Sequence, residues 1–368
     1  MSLVSRQASF ITFAIIAVIA VAALVLGPNA RIAFSRNLDS LASIEGITPE
    51  TVGRLRTIDG LHLSGPDRDT GFDAVLADRK TLQVDDQGIV MSVYTEEFVP
   101  VDQAGPQYSP HTIATTVMTY VTYRTNPRAV EEIRRYLDFL ISYADKDTKG
   151  NLLLPYRFDY PSIKGKAPWY SAMDQAASAS AFLWGHRLTG DPRYLNAAVS
   201  LVLALESPIR PPFLVPHGRG FWPKEYPAWE YSVLDGSLAA LVGIWDLART
   251  LPVDHPRHGR ITKLLESVKI GILDGLPCFT SRAFGHFYAD GGYSLGPGYQ
   301  TVNIRLLSYL SGLNPVFGIY ADKFSVASRG WLARAWYAAV ITGRDFLANR
   351  GLIAKHPPPC IVASTPGA

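Results

Sequence analysis

From residue 111 to residue 349 the chain alternates helix-length apolar stretches with long loops rich in aromatic residues and proline. Apolar spacing at the helical period predicts helices over 111–123, 127–144, 174–188, 193–205, 234–251, 261–273, 301–310 and 331–349. Two of them carry the same start signal, Asn126-Pro127 and Asp191-Pro192, in which a short polar side chain caps the helix and proline takes its first position. Loops this long inside a compact domain usually carry function. Paired helices with such loops gathered at one end predict a mainly α fold, an incomplete α/α toroid. The inner helices of such a ring need small side chains, and Asp174-Gln175-Ala176-Ala177-Ser178-Ala179-Ser180-Ala181 supplies them, so the 174–188 helix is expected on the inside. A generic helical array is the competing arrangement.

Ahead of the helices the pattern changes. Leu61-His62-Leu63, Thr81-Leu82-Gln83-Val84 and Ile89-Val90-Met91-Ser92-Val93 alternate as short strands, and Asp85-Asp86-Gln87-Gly88 is a hairpin signal, so a small β element is expected. Further upstream, residues 10–26 are apolar apart from Thr12 and carry no charge, a length near the lower limit for crossing a bilayer. Gly27-Pro28-Asn29 ends the stretch without a small-x-small cleavage site, which favours an uncleaved signal anchor over a removed signal peptide. Arg6 on one side and Arg31 and Arg36 on the other nearly balance the positive-inside rule. The expected plan is a tail over 1–9, a transmembrane anchor over 10–27, a linker and small β element over 28–110, a helical catalytic domain over 111–350, and a Pro-rich disordered tail over 351–368.

Composition narrows the partners. A net charge of +3 on 368 residues gives no basis for nucleic-acid binding. An acidic polymer would need a local basic groove, for which Arg157, Lys164, Lys166, Arg210, Arg219 and Lys224, all flanking aromatic blocks, are the candidates. Cys278 and Cys360 are the only cysteines and build neither a disulfide framework nor a zinc site. Asp67-Arg68-Asp69-Thr70-Gly71-Phe72-Asp73 lacks the terminal glutamate of a calcium loop and reads as an acidic turn, and His255-Pro256-Arg257-His258 reads as surface. No metal or cofactor is expected.

The most distinctive segment is Phe221-Trp222-Pro223-Lys224-Glu225-Tyr226-Pro227-Ala228-Trp229-Glu230-Tyr231. Two prolines bracket Glu225 and Tyr226 and keep them out of a regular helix, so a carboxylate and a phenol stand at a pocket rim walled by aromatic rings. Together with Trp169-Tyr170-Ser171-Ala172-Met173-Asp174-Gln175, the run from Ser237 through Trp245-Asp246-Leu247, and Gly298-Tyr299-Gln300-Thr301-Val302-Asn303-Ile304, this segment resembles the D-glucuronyl C5-epimerase family, the C-terminal domain of heparosan-N-sulfate-glucuronate 5-epimerase. The blocks keep their order across about 105–310.

The resemblance implies conversion of D-glucuronate to L-iduronate within a heparosan- or heparan-like polysaccharide. It implies Glu225, Tyr226, Tyr288 and Tyr299 as catalytic residues, with Trp169, Tyr170, Met173 and Gln175 lining the cleft. Lys224, Gln300 and Asn303 fall where substrate charge is read, and Arg157 can grip a uronate carboxylate in bidentate fashion. Two departures stand out: Tyr288 is followed by Ala289-Asp290-Gly291-Gly292 where animal members have Asp-Leu-Arg-His, and Gln300 and Asn303 replace histidines. The expected partners are an acidic polysaccharide, a membrane through the N-terminal helix and, by resemblance, a second copy in a homodimer. The catalytic domain is expected outside the cytoplasm, in the Golgi lumen of a eukaryote or on the periplasmic side of a bacterial inner membrane.

Inverting C5 takes a base on one face, a proton donor on the other, and neutralisation of charge on the neighbouring carboxylate. Three alternatives share much of this chemistry or fold. A polysaccharide lyase also abstracts the C5 proton and then expels the C4 substituent. A glycoside hydrolase would pair Glu225 with Asp174 or Asp235. An inactive glycan-binding protein is the third.

Overall fold

The computed structural model describes residues 81–279, 297–325 and 339, with residues 297–299 described in backbone only. Eight α-helices dominate these residues: α1 (Pro110–Val121), α2 (Pro127–Tyr143), α3 (Ala172–Thr189), α4 (Pro192–Ala204), α5 (Leu234–Thr250), α6 (His258–Gly275), α7 (Pro297–Leu310) and α8 (Pro315–Ser325). Local chemistry sets their starts. Ser109 accepts a bond from the Thr112 N–H at 3.2 Å, Asn126 from Arg128 at 3.0 Å, Ser171 from Asp174 at 3.3 Å and Asp191 from Arg193 at 2.9 Å. Each satisfies an amide that the first turn leaves without a partner. Gly190 ends α3 at a φ of 71°, and its N–H returns to the His186 carbonyl.

The helices alternate in role. α1 packs on α3, α3 on α5 and α5 on α7, while α2, α4, α6 and α8 each cover one of this inner series. The stretch from Asp174 to Ala181 is buried except for Ala177, as expected of an inside helix. Small residues there let α3 and α5 touch through their backbones: a Cβ on Gly243 would stand 1.9 Å from the Ala176 carbonyl oxygen. Connections from an inner helix to its cover are short. Those leading back to the next inner helix through described residues, 144–171 and 205–233, are long and supply residues that line the site.

Three small antiparallel sheets decorate the helices. β1 (Leu82–Val84), β2 (Val90–Tyr94) and β3 (Gly105–Gln107) form one in the order β1-β2-β3. The hairpin expected at 85–88 is present, with Asp85 accepting from the Gln87 and Ile89 amides and Gly88 at a φ of 78°. β4 (Asp145–Lys146) pairs with β5 (Leu152–Leu153), and β6 (Leu214–His217) with β7 (Gly220–Pro223). β3, the β4–β5 and β6–β7 pairs, and α8 are additions to what the sequence led one to expect.

Several expectations lie outside the described residues: the anchor and linker, the strand at 61–63, the acidic turn at 67–73, Tyr288, the 331–349 helix apart from residue 339, and the C-terminal tail. Among the described residues no helix is long and apolar enough to cross a membrane. Nor does any group of three or more His, Cys, Asp or Glu side chains among them suit a metal ion. Cys278 is disulfide-bonded, a pairing the sequence reading had not drawn.

Candidate active site

Helices α1, α3 and α5 present their first turns to one cavity of about 530 Å³. His111 comes from the start of α1, Asp174 from the start of α3 and Asp235 from the start of α5; Val302 and Leu306 of α7 close the side. Tyr299 is the third residue of α7, one turn before Val302. Long loops complete the wall, with Tyr156 and Trp169 from the loop before α3 and Glu225 and Tyr226 from the loop before α5.

The Glu225 loop is held at both ends. β7 lies so close to α6 that a Cβ on Gly271 would stand 2.2 Å from the Phe221 carbonyl oxygen. The Lys224 N–H then donates to the Phe213 carbonyl at 2.8 Å, and the Lys224 carbonyl accepts from the Ala172 N–H at 3.2 Å, tying the strand's exit to the start of α3. Lys224 Nζ donates to the Tyr231 carbonyl at 2.6 Å and so closes the loop on itself. With its side chain buried, its ammonium is pushed down to about 8 by burial, partly offset by the charge of Glu230.

Glu225 is only 7 % exposed, and its Oε2 has no hydrogen-bond partner among the described residues. Burial, then the charge of Asp235, holds its carboxyl well above the usual range, while a hydrogen bond with Tyr226 pulls the other way. Asp235 is likewise pushed up by burial, to about 6, against backbone N–H bonds and the charge of His111; its Oδ1 is also buried without a partner. Two such carboxyls in one enclosure cannot both ionise cheaply, so burial and the neighbouring Asp235 both favour the protonated form of Glu225. Burial, then the Glu225 carboxyl beside it, pushes the Tyr226 phenol up as well.

A second group faces this pair. Tyr156 donates to Asp174 Oδ2 at 2.6 Å, and His111 Nδ1 lies 3.1 Å from Asp174 Oδ1. Tyr156 stacks on Trp169 with centroids 4.0 Å apart and planes at 5°, and Trp169 in turn leans on Tyr226 at 6.3 Å. A rigid aromatic wall thus separates the large cavity from a smaller one of about 250 Å³, lined by Trp169 and Tyr226 together with Lys164, Lys166 and Arg210.

A family model, D-glucuronyl C5-epimerase C-terminus, matches residues 147–325, the span that holds Tyr156, Asp174, Glu225, Tyr226 and Asp235. That match supports the resemblance to the D-glucuronyl C5-epimerase family over this stretch. The chain is also similar to an uncharacterised protein of Methanocaldococcus jannaschii, 28% identical over 121 residues that cover 28% of this chain and 39% of that protein, so it spans less than half of that relative's length. The family match supports an epimerase-type enzyme of carbohydrate chemistry.

In this epimerase domain the residues singled out from sequence divide into groups. Glu225, Tyr226, Trp169 and Met173 line the large cavity, and Tyr170 lines the smaller one. Gln175 is turned into the core, accepting from the Leu154 N–H and donating to the Leu152 carbonyl. Gln300 and Asn303 are buried on α7 away from the cavity lining, with Gln300 Nε2 donating to the Phe324 carbonyl. Arg157 lines neither cavity: its guanidinium is spent on Asp145 at 2.8 Å and on the Tyr143 carbonyl. Tyr288 and the Tyr299 side chain lie outside the described residues. His111, Tyr94 and Ser109 were not singled out from sequence as site residues.

Gly236 offers a direct test of the epimerase geometry, because a Cβ there would stand 2.1 Å from Glu225 Oε2 and 2.8 Å from Glu225 Cβ. Gly236→Ala forces the carboxyl out of its place. Catalysis is expected to fall about tenfold or more with the circular dichroism spectrum unchanged, since misplacing a catalytic group by about 1 Å costs that much. Unchanged turnover would show that the carboxyl has freedom the geometry denies it.

Proposed function

We propose that this domain is a uronate C5-epimerase that converts D-glucuronate to L-iduronate units within a heparosan-like polysaccharide. One observation carries the reading: Glu225 and Tyr226 together line the wall of the large cavity. Glu225 and Tyr226 act as one acid–base unit on one face of C5, and Tyr299, one turn before the cavity-lining Val302, serves the other. The group on one face, in its ionised form, takes the C5 proton while the C–H electron pair delocalises into the adjacent carboxylate; the group on the opposite face then gives its own proton to C5, and exchange with water resets the two groups. Tyr288 assists by bonding the carboxylate. No oxidant or reductant is consumed.

The smaller cavity supports a polymeric substrate: three of the six basic residues expected to form a groove, Lys164, Lys166 and Arg210, gather there across the Trp169–Tyr226 wall. The alternation of inner and covering helices supports an incomplete α/α toroid. The domain is placed outside the cytoplasm, anchored through residues 10–26, and the disulfide at Cys278 is in keeping with an oxidising compartment. A homodimer remains part of the proposal.

The test is incubation with heparosan in deuterium oxide. Deuterium entering C5 without chain cleavage is expected, and Tyr226→Phe should lower it about 10²-fold or more. Ultraviolet-absorbing unsaturated ends would instead make the protein a lyase. The cavity also brings Asp174 and Asp235 together with Glu225, so new saturated reducing ends would make it a glycoside hydrolase.

A further inference from the structure

An acidic sugar entering the large cavity must be met by positive charge, and the residues expected to supply it are committed elsewhere. Arg157 is paired with Asp145, and Lys224 is buried with its ammonium on the Tyr231 carbonyl. Among the described residues that line the cavity, His111 is the one side chain able to carry a positive charge. Its side chain is 47% exposed although it sits at the start of an inner helix, so the ring opens onto the cavity rather than into the core.

The ring is also held in place. Asp174 is buried, its Oδ2 accepts the Tyr156 hydroxyl at 2.6 Å, and its Oδ1 is left for His111 Nδ1 at 3.1 Å. With Nδ1–H donating to that carboxylate, Nε2 has no protein partner among the described residues and offers its proton outward. The start of α1 adds its partial positive charge at the same place.

We infer that His111 binds the carboxylate of the acidic sugar, its imidazolium oriented by Asp174, and thereby selects uronate over neutral sugar. The inference rests on the epimerase reading for the identity of that sugar. Seven other titratable side chains among the described residues line the cavity with the ring. Asp174 pairs with it directly; Asp235 adds attraction; burial favours the neutral forms of Glu225, Tyr94, Tyr156, Tyr160 and Tyr226. Burial lowers the ring's pKa, but the hydrogen bond and charge of Asp174, with Asp235 behind it, raise it above its ordinary value of 6.5. The binding form is therefore kept to a higher pH than a free imidazole would keep it, and is lost as pH rises through that raised value.

The test uses the full chain and two probes, a heparosan octasaccharide and its carboxyl-reduced counterpart, with binding measured by calorimetry at about pH 6 and about pH 9. His111→Gln is expected to weaken heparosan binding about tenfold to a hundredfold at the lower pH, the range of a charge-assisted hydrogen bond. It should have little effect at the higher pH and none on the carboxyl-reduced probe. His111→Lys, which keeps a cation that does not titrate in this range, should retain affinity at both. Asp174→Asn, the positioning variant, should move the midpoint of the pH dependence downward.

His111→Gln binding heparosan like wild type at the lower pH, or losing equal affinity for the carboxyl-reduced probe, overturns the assignment. C5 deuterium exchange separates the two ideas. Exchange by wild type with an unaltered KM in His111→Gln sinks the His111 role alone. Binding through His111 without exchange sinks the epimerase reading alone. A wild-type protein that binds no heparosan sinks both.

Discussion

Glu225→Gln is expected to cut C5 hydrogen exchange by about 10²- to 10⁴-fold while raising the melting temperature at neutral pH. The two effects share one cause. Burial, then the charge of Asp235, holds the folded pKa of Glu225 well above its ordinary value of 4.5. Between those two values the folded state binds a proton that the unfolded state releases, and stability falls as pH rises across that window. Glutamine keeps the shape and the Tyr226 contact, cannot ionise, and removes the penalty. It also removes the carboxyl that the loop presents to the cavity beside Tyr226. Melting curves from about pH 4 to about pH 8 should show the variant's advantage growing with pH, since a neutral amide has no linkage to protons. An unchanged exchange rate would deny Glu225 its catalytic place, and a loss of stability equal at both ends of the range would make it a packing residue.

What could be read from the chain in advance follows the range of the interactions involved. Asn126-Pro127 and Asp191-Pro192 mark α2 and α4 because cap and proline are neighbours in sequence, and both caps bond as read. Asn314-Pro315 is the same signal, and the Val316 N–H does bond to Asn314 Oδ1 at 2.9 Å, but Gly318 and the short length of α8 obscured it. The β6–β7 hairpin escaped for a different reason. Pro216 and Pro223 argue against strands, and the ribbon exists because Gly271 on α6 admits its backbone and Trp222 stacks on Phe279 at 5.2 Å.

The site divides in the same way. Glu225 and Tyr226 are adjacent, so their pairing was legible. His111 meets Asp174 across 63 residues, and nothing near either one announces the other. A weaker signal was available: His111, Asp174 and Asp235 each sit in the first turn of an inner helix, a position whose side chains point at whatever the helix starts face. The basic residues show the opposite failure. Arg157 was chosen for what a guanidinium can grip, and its actual partner, Asp145, lies 12 residues upstream in β4.

Gly243→Ala is expected to be the most damaging single-methyl change in the domain, lowering both stability and exchange. Its Cβ would stand 1.9 Å from the Ala176 carbonyl oxygen, 2.3 Å from the Ala176 carbonyl carbon and 3.0 Å from the Ala177 nitrogen. All three are backbone atoms of α3, which cannot swing aside as a side chain would, so α3 and α5 must part by more than about 1 Å to restore ordinary contact distances. Overpacking of this kind costs about 1–3 kcal/mol, here against the two helices at the centre of the fold. The same separation reaches the site, because Asp174 and Asp235 ride on the first turns of the helices being pried apart. A displacement of about 1 Å is enough to lower turnover about 10²-fold, so exchange should fall even at temperatures where the variant is fully folded. Gly259→Ala is the control, since Gly259 lies in α6 with nothing within 4 Å of the added methyl; it should be neutral or stabilise by up to about 1 kcal/mol. If Gly243→Ala melts with the control and exchanges at the wild-type rate, the direct backbone contact between α3 and α5 does not set the spacing of the two carboxyl groups.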